Sequence, residues 1–487
     1  MPEPKVLDRP DPKVLMIFID GFIPEAIETA SATNLARLMR EGAFSLDARA
    51  ESTAISGSGW STFLTGVHWD KHGVPDNAFE HPRYDRCRHV AALLRAERPD
   101  AVVATSLCWD PIWEHLVQPL GLEHASNHQE ESSLEDFFDS NSNDALVAAD
   151  VAGWLALPDV QLAIAMFGDL DEAGHSQGNL HYDAWDERYR GVLRQIDVHV
   201  GELLQAIRRR PTWACEDWLV LVSADHAGSL NLGHGRNLRE HRRIPLIVSG
   251  PSVARGEIWP PPTHADLVPT ALAHLGVALR PEWELDGRVL GRAPSERPRA
   301  RQGENLIFQG DAELERGFAG TAGFPDAWVA GWSDPGALTV LRYGSEGGFP
   351  SASDPRSPTA GANFFAGGDA ETDTWIEQTI DLAPLRAAIA RGVEYELTGW
   401  LGGFQEEDDR AALSVTFLDG EGRILGRAVL PPVWAGDRGG KTGFVRREVH
   451  GEVPREARSV RVRLDMLASS GKNDGYADDL SLVLTLR

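Results

Sequence analysis

Cysteine is scarce: Cys87, Cys108 and Cys215 are the three in 487 residues. An odd number at such wide spacing excludes both a disulfide framework and a thiolate metal site. Basic residues are also outnumbered, 47 Lys and Arg against 73 Asp and Glu, for a formal net charge of -26. Without clustered cations the chain is not a general binder of nucleic-acid backbones. Acidic surfaces mostly keep proteins soluble, and an acidic enzyme can still take an anionic substrate where bound cations reverse the local field. No apolar run approaches the roughly 18 residues of a membrane span. The start, MPEPKVLDRPDPKVLMIFIDG, has no basic n-region followed by an apolar h-region and a cleavage site. As given, the sequence is expected to be cytoplasmic, or secreted or periplasmic if a signal was trimmed.

What is present is ordinary globular composition, 42% hydrophobic and 25% charged, in a chain long enough for two or three domains. Short, nearly continuous apolar runs occur at 13–19 (KVLMIFI), 161–167 (QLAIAMF), 217–223 (DWLVLVS) and 245–249 (PLIVS). Such runs suit strands buried on both faces of a parallel sheet. Between them lie helical stretches such as Thr33–Glu41 and 184–209, with apolar residues recurring at three and four. This alternation predicts an α/β fold, a mostly parallel sheet sandwiched by helices, over residues 1–290. Residues 291–302, rich in Pro, Arg and Gly, read as a linker. Beyond it, 395–401, 412–417 and 459–464 are short and partly alternating with turns between, which predicts an all-β sandwich over 303–487.

The chemistry lies just after the apolar runs. Asp20 and Gly21 follow the first, Asp171 and His175 (DLDEAGH) the second, and Asp225 and His226 (SADHAG) the third, with His234 (LGHG) on the loop beyond. Ligands of open α/β sheets bind outside the carboxyl ends of the strands, so these segments bring Asp and His to one edge. An Asp-Gly after a strand is by itself usually a turn, and a loop His is usually solvated; the joint pattern is what carries weight. Hydroxyls come from STAISGSGWSTFLTG, where Ser56 precedes two glycines and a helix start suited to a phosphate. Thr53, Ser58 and Ser61 are equally good by spacing.

Together FIDG, SGSGWSTFLTGVHWDKHGV, DEAGH, SADHAG, LGHG and IPLIVSGPSV…THADLVPTALAHLG resemble the alkaline phosphatase superfamily, in its type I phosphodiesterase/nucleotide pyrophosphatase branch, over about residues 13–276. In that superfamily the nucleophile stands ten residues before the Gly of the TG pair, and counting back from Gly66 gives Ser56. The resemblance implies two divalent metal ions, most suitably Zn2+ given Asp and His donors. One would be held by Asp171, His175 and His234, the other by Asp20, Asp225 and His226 facing Ser56. It also implies a phosphoric ester hydrolase, phosphodiesterase before phosphomonoesterase, working through a phosphoseryl intermediate on Ser56. A non-catalytic, metal-stabilised glycan-binding protein is the alternative of another class.

Departures narrow the claim. Trp60 stands where sulfatases carry the Arg of their formylglycine motif, and His226 where they tend to have Asn, which speaks against a sulfatase. Gly59 stands where the branch is expected to carry a phosphate-holding Asn. Lys71 and Asn77, near the nucleophile in sequence, are the substrate-contact candidates. His72, His264 and Asp197 read as structural, and 109–113 (WDPIW) as pocket wall or core. The segments GENLIFQGDAEL and GYADDLSLVLTL resemble galactose-binding, carbohydrate-binding-module-like sandwiches. That resemblance implies a glycan partner and a structural Ca2+ at Asp478 and Asp479.

Overall fold

A computed structural model describes residues 10–129, 142–175, 182–236, 238–293, 299–315, 317–319, 329–333, 338–368, 371–469 and 471–486. The chain divides into two compact units, Met1–Glu296 and Arg297–Arg487.

The first unit is built on strands β1 (Asp11–Ile19), β2 (Ala43–Arg49), β3 (Val102–Leu107), β4 (His124–Asn127), β5 (Val160–Phe167), β6 (Glu216–Ser223), β7 (Arg243–Ser249) and β8 (Gly256–Glu257). They form one sheet in the order β4-β3-β5-β1-β6-β7-β2-β8. β1 runs parallel to β5 on one side and β6 on the other. The apolar runs of β1, β5 and β6 are buried on both faces because helices cover each side of the sheet. β7 has the same composition yet pairs antiparallel with both β6 and β2. Two-sided burial, not strand direction, sets a continuous apolar run. β2 and β3 escape a reading by apolar runs because Ser, Thr and Asp interrupt them.

Helix Thr33–Glu41 has the predicted bounds, but its N-cap residue, Ala32, offers no side-chain acceptor. Asp197 supplies one from the helix Glu187–Arg208, accepting from Leu35 N at 2.8 Å and Asn34 N at 3.0 Å. Asp197 is therefore a capping partner.

The second unit is a β-rich body of two antiparallel sheets. Its strands are β9 (Thr339–Arg342), β10 (Asn363–Ala366), β11 (Thr374–Asp381), β12 (Val393–Gly403), β13 (Arg410–Leu418), β14 (Ile424–Val429), β15 (Gly443–Glu452), β16 (Ser459–Leu467) and β17 (Tyr476–Leu486). The sheets run β15-β12-β17-β10-β9 and β11-β16-β13-β14. Alternating residues such as Leu397, Leu401, Leu413, Val415, Val462 and Leu464 fill its core.

The calcium expectation does not fit its residues. Asp478 is fully buried and accepts from Tyr343 Oη at 2.6 Å and from Asp479 N. Asp479 accepts from the hydroxyls of Ser357 and Thr359. These donors engage both oxygens of Asp478 and Oδ2 of Asp479. Among the described residues of this unit, the carboxylates close enough together to share an ion are Glu407, Asp409 and Asp474.

Candidate metal centre

Because β5, β1 and β6 are adjacent and parallel, the residues following them meet at one edge of the sheet. Asp20 continues from β1, Asp171 and His175 lie on the helix Asp169–His175 after β5, and Asp225 and His226 follow β6. Gly21 makes the convergence possible. It has φ +67°, and a Cβ there would stand 2.6 Å from Asp171 Oδ1. Its N–H donates to Asp225 Oδ1 at 3.3 Å.

The first cluster holds Asp20, Asp225, His226 and Ser56. His226 is fully buried, and its Nδ1–H donates to the Ala227 carbonyl at 3.1 Å. Burial holds its basicity well below the usual imidazole value, so the ring is neutral and Nε2 keeps a lone pair. That lone pair faces Asp225 Oδ2 at 3.3 Å, Asp20 Oδ1 at 3.5 Å and Ser56 Oγ at 3.2 Å. Asp20 Oδ1 and Asp225 Oδ2 are buried with no hydrogen-bond partner. A lone pair and two orphaned carboxylate oxygens turned toward one point repel each other unless a cation sits between them. The residues therefore fit a bound divalent ion, with the Nδ1–H bond fixing the ligating tautomer.

A second cluster adjoins it. Asp171, His175 and His234 each present a donor atom within 4.8 Å of the others. His234 Nδ1 donates to Ala54 O at 3.0 Å, and its Nε2 meets His175 Nε2 at 3.0 Å. The rings of His226 and His234 stack with centroids 3.9 Å apart, which places the two clusters side by side. Tyr182 donates its hydroxyl to Asp171 Oδ1 at 2.5 Å, a second partner that the spacing of the Asp and His residues does not disclose.

The four hydroxyls are no longer equivalent. Ser56 opens the helix Ser56–Thr65 and lines the cleft that also contains Asp20, Asp171, His175 and His234. Ser61 is committed to Gly57 O and Tyr84, and neither Thr53 nor Ser58 lines that cleft. Asn77 does line it, and its Oδ1 accepts from Gly57 N at 2.7 Å. The side chain thus caps the helix that carries Ser56 and leaves its amino group on the cleft. Lys71 is not brought in: its ammonium binds Asp286 Oδ1 at 2.6 Å and Glu284 O at 2.7 Å.

Behind the same helix, Glu51 accepts from Thr62 and His68, each at 2.6 Å, with His72 on Thr62 at 3.0 Å and His264 nearby. His72 and His264 belong to this buried network. Trp60 is fully buried and donates Nε1–H to Asp20 Oδ2 at 3.0 Å, orienting that carboxylate.

Gly59 packs the helix directly on Asp225, where a Cβ would lie 2.6 Å from both the Cβ and the carbonyl oxygen of that residue. No Asn side chain fits there. Gly59→Ala is expected to destabilise the chain by about 1–3 kcal/mol and to weaken metal binding, read by thermal melts with and without metal. An unchanged melt would mean that the helix can move off Asp225 freely.

The cleft is also lined by Asp110, Asn143, Asp169 and Glu172, which sequence reading passed over, and by Trp109 of the segment it took as pocket wall or core. Trp109 and Trp113 both pack against the core, and Trp113 does not line the cleft.

Residues 14–231 match the family model described as type I phosphodiesterase / nucleotide pyrophosphatase. A sulfatase, ppz1, of Metarhizium majus is 28% identical over 127 residues, 25% of this chain and 30% of that protein. A choline-sulfatase of Rhizobium meliloti is 27% identical over 222 residues, 43% of this chain and 41% of that protein. The chain thus spans less than half the length of these two relatives. Among solved structures, a 2-O GAG sulfatase aligns with TM-score 0.47 at 14% identity, covering 58% of this chain and 74% of the other. Murine ectonucleotide pyrophosphatase / phosphodiesterase 5 in complex with AMP aligns with TM-score 0.42 at 13% identity, covering 55% and 96%.

Proposed function

We propose that this chain, whose N-terminal unit is a domain of the alkaline phosphatase superfamily, hydrolyses phosphate esters, diesters by preference, with Ser56 as nucleophile. The observation that carries the reading is the Ser56 hydroxyl 3.2 Å from the unprotonated Nε2 of His226, at the edge of a cluster with two orphaned carboxylate oxygens. Two divalent ions, proposed as Zn2+ because the donors are imidazole nitrogen and carboxylate oxygen, would be held by Asp20, Asp225 and His226 and by Asp171, His175 and His234. When bound they would supply charge stabilisation for the attacking and leaving oxygens of an in-line displacement.

The residues do the rest. Ser56 Oγ attacks phosphorus opposite the leaving oxygen and gives its hydroxyl proton to solvent, the phosphorus–oxygen bond to the leaving alcohol breaks, and the departing alkoxide takes a proton from solvent. Water then displaces Ser56 from the phosphoseryl bond and releases the second product. Asn77 donates its amino group to a non-bridging oxygen, as do free amides at the helix start. Asn77→Ala is expected to raise KM and lower kcat/KM by about ten- to a hundredfold, measured on a nitrophenyl diester. A loss below twofold would remove Asn77 from the phosphate site.

Phosphoryl transfer is preferred to sulfuryl transfer because Trp60, fully buried on Asp20, occupies the place of the sulfatase motif's Arg. The test is a rate comparison on matched nitrophenyl phosphate mono-, di- and sulfate esters with zinc, manganese and magnesium. Sulfate turnover exceeding both phosphates would overturn the reading.

For the second unit we propose glycan contact in a cleft of about 440 Å³ lined by Trp400, Arg446, Asp479 and Asn305. An aromatic face with polar neighbours suits a sugar ring. A glycan-array signal from the full chain that survives Trp400→Ala would dismiss that cleft.

A further inference from the structure

Three glycines, one from each of the segments that carry the proposed ligands, close around the ring of Tyr182. A Cβ at Gly21, after β1, would lie 3.1 Å from ring Cε1. One at Gly174, on the helix Asp169–His175, would lie 2.7 Å from both Cε1 and Cζ. One at Gly228, two residues after His226, would lie 2.3 Å from Cγ. A methyl group at either of the last two would overlap the ring. Neither Gly174 nor Gly228 has a positive φ, so backbone freedom does not explain them. Room for the ring does.

Tyr182 is 2% exposed and meets every ligand proposed for the second ion. Its hydroxyl donates to Asp171 Oδ1 at 2.5 Å. Its ring stands edge-to-face with the imidazoles of His175 and His234, with centroids 5.5 Å and 5.8 Å away and planes inclined by 87° and 70°. These three contacts all belong to the second cluster. Asp171 itself stands between the clusters. Its Oδ1 lies 4.0 Å from His226 Nε2, and its Oδ2 lies 3.3 Å from His175 Nε2. A carboxylate so placed can serve either ion. The Tyr182 hydroxyl draws charge from the oxygen that faces the first cluster and leaves Oδ2 the better donor for the second.

Resting on the two-ion hydrolase reading above, we infer that Tyr182 is the positioning residue that assigns Asp171 to the second ion and holds His175 and His234 beside it, with Gly21, Gly174 and Gly228 as its seat. The motif glycines and the ligands thus act as one unit, tied together by a residue that is not itself a ligand.

The test titrates the metal-free full chain with cadmium ions and reads them by cadmium NMR, with no substrate present. Two signals are expected, and the one lost in His234→Ala marks the second site. Tyr182→Phe keeps the ring in its seat, so Tm should stay within about 5 °C of the unsubstituted chain. Affinity at the second site should fall about ten- to a hundredfold, against less than about threefold at the first, and the second signal should move as Oδ1 is released. Gly228→Ala, which crowds the ring but keeps the hydroxyl, is expected to give the same selective loss. Equal weakening of both sites in Tyr182→Phe, or a second signal that neither moves nor weakens, overturns the inference. A single cadmium signal in the unsubstituted chain overturns it together with the two-ion reading. If two ions bind and the second alone answers to Tyr182→Phe, yet no phosphate ester turns over, the hydrolase reading fails and the assignment of Tyr182 holds.

Discussion

Replacing Ser56 by Ala is expected to lower kcat by about four orders of magnitude or more while leaving the melting temperature nearly unchanged. The structural loss is small. Ser56 sits at the first position of its helix, where its side chain caps nothing, and its Oγ has one partner, His226 Nε2. Deleting that oxygen removes a single hydrogen bond, about 1 kcal/mol, and leaves every proposed metal ligand in place. The chemical loss is the whole first displacement, because no other hydroxyl of the segment lines the cleft. The size of the effect separates two roles. A serine that only positions water would cost about ten- to a hundredfold on removal. Steady-state turnover of a nitrophenyl diester, with metal content measured on the same sample, decides it. Full activity in the Ser56→Ala chain would sink the nucleophile assignment.

The legibility of this site followed from backbone geometry. Asp20, Asp171, Asp225 and His226 could be read because each follows a strand of unmistakable apolar composition, and parallel neighbours put their carboxyl ends at one edge. Ser56 could be read only through the resemblance, since Thr53, Ser58 and Ser61 share its segment and spacing does not say which one faces the cleft. Lys71 misled because proximity in sequence to a nucleophile says nothing of side-chain direction; the ammonium answers to Asp286, over two hundred residues away.

Asp169 illustrates the opposite failure. It stands two residues before a proposed ligand and looks like part of the same acidic run, yet its place beside the buried Asp144 carboxyl emerges only when burial and hydrogen bonds are known together. Gly59 lies between these cases. The sequence marks it as an absent Asn, whereas the packing of its helix on Asp225 shows that nothing larger fits.

Metal should reverse the pH dependence of stability. In the metal-free chain, burial and then the charge of Asp171 push the Asp225 carboxyl up to about 8, and burial with Asp225 and Asp171 raises Asp20 well above its usual range. Unfolded, both titrate near 3.9. The native state therefore holds extra protons between about pH 4 and 8. Their stabilising contribution is complete below pH 4 and is lost as pH rises through about 8. Cations displace those protons and satisfy the orphaned oxygens, so binding is tighter at higher pH.

Zinc at a thousandfold excess over Kd is expected to add about 4 kcal/mol at pH 8, on the order of 10 °C in Tm. The shift should shrink toward pH 5, and a chelator should abolish it together with turnover. Calorimetric melts at pH 5 and 8 read this directly, and a metal-induced shift independent of pH would contradict the proton competition. Asp225→Asn sharpens the test. Its side-chain oxygen can keep the Gly21 N–H while one buried charge disappears. At pH 8 that chain should therefore melt higher than the unsubstituted metal-free chain, yet respond little to zinc. Loss of stability under both conditions would mean that the Asp225 carboxylate is satisfied without a cation.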